Sequence, residues 1–179
     1  AIDAWWNALL VDAAIPLAGP VSYAMNFLGG GWFGVFVVPL GGAAALLALR
    51  RPWAAVFFLT AEATSAALVQ VLKHLFGRAR PTEILIISDY GSYPSGHVAN
   101  AATLAVCAVV IFPRIAVALV GAAWILLMAF SRTYLHAHWL SDTVGGALVG
   151  AGAALVVAAA MAVPLARVRE VVGSRRSAH

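Results

Sequence analysis

Residues 53–72 read WAAVFFLTAEATSAALVQVL, with a single ionisable side chain, Glu62. The hydrocarbon core of a bilayer is about 30 Å thick, which about 20 apolar residues cross as an α-helix. The stretch lacks the two-residue alternation of a barrel strand, and backbone groups in lipid must be paired within their own segment. It is therefore expected to be a membrane-spanning helix. Working outward, four more apolar stretches invite the same reading: residues 31–49, 95–112, 115–131 and 141–163. Five spans make the expected fold class all-α, a polytopic transmembrane helix bundle.

The whole chain agrees with that reading. Its 179 residues are 63% hydrophobic and 10% charged, with a mean hydropathy of +0.94, whereas a soluble domain carries about 25% charged residues. This excludes a water-soluble globular domain and a disordered chain, and the length suits one domain over residues 1–179. The net charge of +4 does not point to nucleic acid. Its basic residues sit in short clusters between apolar runs, which suits lipid headgroups and phosphate ligands. Cys107 is the only cysteine and lies within an apolar run, so it reads as a small core thiol and no disulfide framework or cysteine metal cluster is available.

Arginines set the expected orientation. Arg50 and Arg51 join the first two spans, Arg114 joins the third and fourth, and Arg167, Arg169, Arg175 and Arg176 follow the fifth. With alternating spans these seven share one face, which the positive-inside rule makes cytoplasmic, with 164–179 as a basic cytoplasmic tail. Lys73, Arg78, Arg80 and Arg132 then fall on the opposite face, against the bias, as cations placed for a ligand. Trp32, Trp53 and Trp139 stand near span ends, where amphipathic rings prefer the headgroups. Residues 1–30, interrupted by Asp3, Asn7, Asp12, Pro16 and Pro20, read as an interfacial or partly inserted segment. Glu62, at mid-span, is a functional candidate by its depth, against the alternative of a carboxyl held by a partner or kept neutral by burial. Gly146, Gly150 and Ala154 form a small-residue stripe suited to close helix packing.

Three polar clusters lie at the ends of spans facing away from the arginine side: residues 73–81, 94–97 and 131–142. Lys73, Arg80 and Arg132 can therefore converge. Pro94-Ser95-Gly96-His97 opens a helix, whose free N–H groups and positive dipole end favour an anion, with Ser95 able to cap or donate and Gly96 permitting close approach. Forked arginine donors and a lysine point charge together suit a tetrahedral phosphate. His138 and Asp142 are one helical turn apart, the spacing of a nucleophile and its orienting carboxylate, and His97 would be the opposing general acid.

These clusters resemble the type 2 phosphatidic acid phosphatase superfamily of membrane lipid phosphatases, whose signature is K-x6-RP, PSGH and SR-x5-H-x3-D. Lys73, Arg80, Pro81, Pro94, Ser95, Gly96, His97, Ser131, Arg132, His138 and Asp142 match every specified position, with 12 residues between the first two parts and 33 between the last two. The resemblance implies that His138, rather than His136, forms a phosphohistidine, that Asp142 orients it, and that His97 protonates the leaving group. Lys73, Arg80, Ser95, Gly96 and Arg132 would hold the phosphoryl oxygens. It implies no metal and no cofactor. Bacterial members usually have six spans, so a first helix preceding Ala1, or partial insertion of residues 1–30, is expected.

The expected activity is hydrolysis of the terminal phosphate of a lipid phosphate or pyrophosphate at the outer leaflet of the cell membrane. Undecaprenyl or related polyprenyl pyrophosphate, phosphatidylglycerol phosphate, phosphatidic acid and diacylglycerol pyrophosphate all present such a group. Two alternatives stand beside it: a lipid phosphotransferase using the same site, and a non-catalytic lipid-binding or transport bundle.

Overall fold

The computed structural model describes residues 2–13 and 15–176, and of residues 163–176 only the helical backbone. Among the described residues there is no strand. Seven α-helices follow one another: α1 (Ile2–Val11), α2 (Ala18–Gly29), α3 (Val38–Ala48), α4 (Pro52–Phe76), α5 (Gly96–Ile111), α6 (Ile115–Tyr134) and α7 (Leu140–Arg176). A π-helical segment, Phe33–Val37, leads into α3.

Local chemistry sets the ends that matter. Pro52 opens α4 at a position where its missing N–H costs nothing. Gly77 closes α4 in the left-handed region at φ 53°, and a Cβ there would lie 2.7 Å from the Tyr90 hydroxyl. Phe112 and Pro113 end α5, and α6 follows directly. At the start of α7 the Trp139 N–H donates to Asp142 Oδ2 at 2.9 Å, so the carboxylate caps the helix.

The expected five spans resolve differently. Three helices are long and apolar enough to cross a membrane: α4, α6 and α7 as Leu140–Ala162. A fourth span arises if α2 and the Phe33–Ala48 helix, bent by 49° at the glycine run, count as one. The break has a steric basis, because Gly31 adopts φ 55° and a Cβ on Gly34 would come within 2.5 Å of the Gly29 backbone. The stretch expected to span at 31–49 is thus the second arm of a bent pair. Helix α5 has 16 residues, fewer than the about 20 a lone span requires. In the segment expected to be interfacial or partly inserted, the described residues form α1 and α2, and α2 packs on α5 and α6 as part of the bundle.

Helix α5 sits between α4, α6 and α7. The small-residue stripe brings α7 onto it: a Cβ on Gly146 would meet the Ser95 carbonyl at 2.5 Å, and one on Gly150 would collide with the Ala99 carbonyl. Ala154 is fully buried in a cluster with Phe57, Phe58, Ala61, Cys107 and Val157. A second cluster of Met25, Val98, Ala101 and Met128 supports the end of the bundle where the three motifs gather. Leu119, Val120, Leu126 and Leu148 stay exposed, as expected of side chains whose solvent is lipid. Arg51 lies at the opposite end, donating to the Ile111 carbonyl at 3.2 Å and covering the Phe112 ring at 4.9 Å. The basic tail expected over 164–179 continues α7 to Arg176; its side chains, and residues 177–179, lie outside the described residues.

Candidate active site

Two connections build the motif end, residues 77–95 between α4 and α5 and residues 135–139 between α6 and α7. They are tied together by a backbone bond from Leu85 N–H to the Leu135 carbonyl at 3.1 Å, and the first is folded on itself by one from Ser92 N–H to the Arg78 carbonyl at 2.8 Å. His136 takes a left-handed φ of 51°, and the two neighbouring histidines part company there. His136 turns to Asn7 on α1, Nδ1 lying 2.8 Å from Oδ1. His138 turns inward and lines the cavity with Lys73, Arg80, His97 and Arg132.

The His138 ring is fixed by its surroundings. Nδ1 donates to the Ser92 carbonyl at 2.7 Å, which leaves the lone pair on Nε2, 3.2 Å from Arg80 Nη1. Burial pushes its pKa down to about 4, with the negative charge of Asp142 working in the opposite direction. The imidazole is therefore neutral at physiological pH, as a nucleophile must be. The one-turn spacing leads one to expect Asp142 to bond one ring nitrogen directly. Its Oδ2 lies 3.7 Å from Nδ1, beyond hydrogen-bond reach, because the carboxylate is engaged by the Trp139 N–H and by Arg78 Nη1 at 2.6 Å. Asp142 is fully buried and acts on the ring through space, while a backbone carbonyl sets the tautomer.

Cations surround the cavity-facing Nε2. Lys73, 3% exposed, donates to both Asp89 oxygens at 2.8 and 2.9 Å and to the Gly91 carbonyl at 3.2 Å. Arg80 donates to the Ala137 carbonyl at 2.6 Å and to Asp89 Oδ1 at 2.8 Å. Arg132 is 1% exposed; Nη1 donates to Asn26 Oδ1 at 2.6 Å, and Nε is buried with no hydrogen-bond partner. Ser95, the N-terminal cap residue of α5, likewise keeps its hydroxyl buried and unpartnered. Gly96 is not demanded by packing, since a Cβ there would make an ordinary 3.6 Å contact with Val69. His97 Nε2 donates to the Asn26 carbonyl at 3.1 Å, and a Cβ on Gly30 would collide with the same ring.

All eight residues singled out in the sequence thus gather at one end of the bundle, although Asp142 reaches His138 only across 3.7 Å. Several others went unread. Arg78 bridges Asp142 to Asp3 of α1 at 2.8 Å, and Asp3 in turn accepts from the Ser141 N–H and hydroxyl at 2.8 and 2.6 Å. Arg78 carried a signal, being one of the four cations set against the orientation bias. Asp3, Asn26 and Asp89 carried none, because no motif or helical spacing links them to the three clusters.

The cavity, about 900 Å³, runs from these groups along α4 from Lys73 to Leu59, facing Gly29–Leu40. Away from the charged end its wall is chiefly apolar, with Leu59, Ala63, Ala66, Val69, Phe36 and Leu40 among its residues. One end can hold a phosphate, and the remainder offers an apolar chain a course along the helices.

Comparison with known proteins places the chain among relatives. Residues 54–164 match the PAP2 superfamily. Lipid A 1-phosphatase of Rhizobium etli is 29% identical over 125 residues, which make up 62% of this chain and 52% of that protein, so the chain spans about half the relative's length. Phosphatidylglycerophosphatase B of Bacillus subtilis is 28% identical over 145 residues, covering 75% and 71% of the two chains. The crystal structure of a PAP2-type phosphatidylglycerolphosphate phosphatase from Bacillus subtilis superposes with a TM-score of 0.76 at 26% identity, over 87% of this chain and 82% of that one. On its three motifs, its helical bundle and a family match over most of its length, this chain belongs to the PAP2 superfamily.

Proposed function

We propose that this chain is a single-domain integral-membrane lipid phosphatase that removes the terminal phosphate of a lipid phosphate or pyrophosphate through a phosphohistidine intermediate. The observation that carries the reading is the cavity itself. Lys73, Arg80 and Arg132 meet His97 and His138 at one end of a chamber that is largely apolar over the rest of its length.

The reaction follows from the groups in place. A terminal phosphate takes the donors of Lys73, Arg80, Arg132 and Ser95, with the Gly96 N–H at the start of α5, and in doing so draws the Arg80 N–H away from His138 Nε2. That lone pair attacks phosphorus in line with the lipid oxygen. The bond from phosphorus to that oxygen breaks, its electron pair leaves with the oxygen, and His97, entering the step as its imidazolium, supplies the proton and becomes neutral. Water then attacks the phosphohistidine, giving its proton to His97. The P–N bond breaks and returns neutral His138 with free phosphate. Asp142 stabilises positive charge on the imidazole while the intermediate forms. The cradle's worth is positioning and charge stabilisation, because phosphoryl transfer asks little covalent chemistry of the protein. No metal enters any step.

In this reading the bundle crosses the bilayer five times, α5 completing its passage inside the protein, and the motif end opens at the extracytoplasmic face of the cell membrane. The test is phosphate release in detergent from polyprenyl pyrophosphate, phosphatidylglycerol phosphate and phosphatidic acid, with His138→Ala as the blank and with EDTA present. Release by the intact protein, unaffected by EDTA and absent in the variant, supports the reading. Strong inhibition by EDTA would overturn its metal-free chemistry, transfer of phosphate to an added lipid alcohol would make the protein a phosphotransferase, and binding without turnover would make it a non-catalytic bundle.

A further inference from the structure

Two polar atoms in the cavity have no role in that reaction and nothing to bond. Glu62 Oε1 on α4 and Asn100 Oδ1 on α5 are buried without a hydrogen-bond partner, and Glu62 as a whole is only 9% exposed. Both residues line the chamber that holds Lys73, His97 and His138. The Asn100 amide is fixed by its other end, Nδ2 donating to the Gly34 carbonyl at 2.9 Å. Unsatisfied buried acceptors are costly and rare in native structures. Two of them along one chamber mark where a ligand's donors belong.

Their depth is set by the helices. Asn100 lies three residues beyond His97 on α5, about 4.5 Å along the axis, and Glu62 lies eleven residues before Lys73 on α4, about 16 Å along it. Acceptors therefore stand one turn and three turns below the phosphate end, between apolar positions such as Leu59, Ala66 and Val69. An all-hydrocarbon chain would leave both unpaired, and ester carbonyls bring them no proton.

We propose that Asn100 and Glu62 form a hydrogen-bonding subsite for hydroxyl or amide N–H groups carried by the lipid anchor. The phosphatase then favours phosphates of hydroxylated or amide-linked acyl lipids over phosphates of diester or polyprenyl lipids. This inference rests on the lipid phosphatase reading above and narrows its substrate class. Two donor-bearing groups at different depths would engage both residues, and one near the phosphate would engage Asn100.

The test compares four lipids sharing a terminal phosphomonoester: ceramide 1-phosphate, which carries an amide N–H and a hydroxyl, phosphatidic acid with and without a mid-chain acyl hydroxyl, and a polyprenyl phosphate. A hydrogen bond to a buried acceptor is worth about tenfold. Wild-type kcat/KM for ceramide 1-phosphate is expected to exceed that for phosphatidic acid by about that factor, a ratio that should fall toward one in Asn100→Leu. Phosphatidic acid carrying a mid-chain acyl hydroxyl, deep enough for Glu62, should gain similarly over plain phosphatidic acid and lose that ratio in Glu62→Leu. Glu62→Gln keeps an acceptor and should retain most of the second ratio, which separates loss of the bond from loss of folding. Wild-type ratios near one, or ratios untouched by the leucine variants, overturn the subsite. Equilibrium binding of fluorescent forms of these lipids to His138→Ala, alone and with each leucine substitution, reads the same preference without turnover. If no lipid is hydrolysed, the phosphatase reading falls while binding still decides the subsite.

Discussion

The two ends of the bundle both carry arginines and use them in opposite ways. At one end Arg51 is exposed, covers the Phe112 ring and ties down one carbonyl of the α5–α6 turn. At the other, Arg132 is almost wholly buried with an unpartnered Nε, and Arg80 and Lys73 share the carboxylate of Asp89. A charge at the lipid–water boundary is well solvated and free to serve orientation. A charge taken out of water is expensive, and three placed around one cavity suit an anion. Burial, more than the number of cations, separates the end proposed to perform chemistry from the end that anchors.

The sharpest way to break that contrast is to remove a buried cation. Arg132→Gln should lower kcat/KM by about 10²- to 10³-fold, the usual cost of a lost donor to a developing charge. Arg132→Lys should recover part of it. A loss under threefold for Arg132→Gln would place the phosphate elsewhere.

Next in size is the layer behind His138. Arg78→Met leaves Asp142 without its guanidinium partner and should cost about tenfold in kcat with little change in KM. Arg78→Lys should restore most of the rate, whereas a rise in KM alone would move Arg78 into the binding layer.

Asp89 sharpens the comparison from the other direction. Its carboxylate, 59% exposed, sits on the cations that the phosphate needs. Asp89→Asn should tighten inhibition by inorganic vanadate by about two- to fivefold, modest because the pair is solvated. Weaker inhibition would mean that Asp89 positions Lys73 and Arg80 rather than competing for them. The smallest effect belongs to the far end, where Arg51→Ala should leave kcat/KM within about twofold, as surface substitutions usually do for stability.

The pH response also separates a buried base from a solvated one. His138 has a folded pKa of about 4, below the ordinary histidine value of 6.5, so the unfolded chain binds that proton more readily. Its contribution therefore lowers stability as pH falls from 6.5 toward 4 and adds no further loss below. Histidine-selective ¹⁵N NMR should show the His138 ring neutral at pH 5.5, and a titration midpoint near 6.5 would contradict its burial.

Much of the site was legible because its parts lie at fixed spacings on helix ends. Lys73, Arg80, His97, Arg132 and His138 can be read together once alternating spans bring their ends to one side. What stayed hidden lacks such a relation. Asp3 and Asn26 reach the site from segments 71 to 138 residues away from their partners in sequence. Ser92 acts through its backbone carbonyl, a group every residue type possesses, so the atom that sets the His138 tautomer leaves no mark in the sequence. In the fold, the apolar runs showed where helices form. The 49° bend was not legible, because it depends on how closely Gly34 approaches the Gly29 backbone.

The central claim is that the lone pair of His138 Nε2 receives the phosphoryl group. Wild-type protein mixed with a short-chain lipid phosphate, quenched in alkali during turnover and digested, should yield the peptide containing His138 as an acid-labile phosphohistidine. The adduct should be missing in His138→Ala, and with p-nitrophenyl phosphate, whose leaving group needs no proton, it should accumulate in His97→Ala, where water attack lacks its base. Phosphorylation of another residue, or phosphate release by His138→Ala at the wild-type rate, would contradict the account.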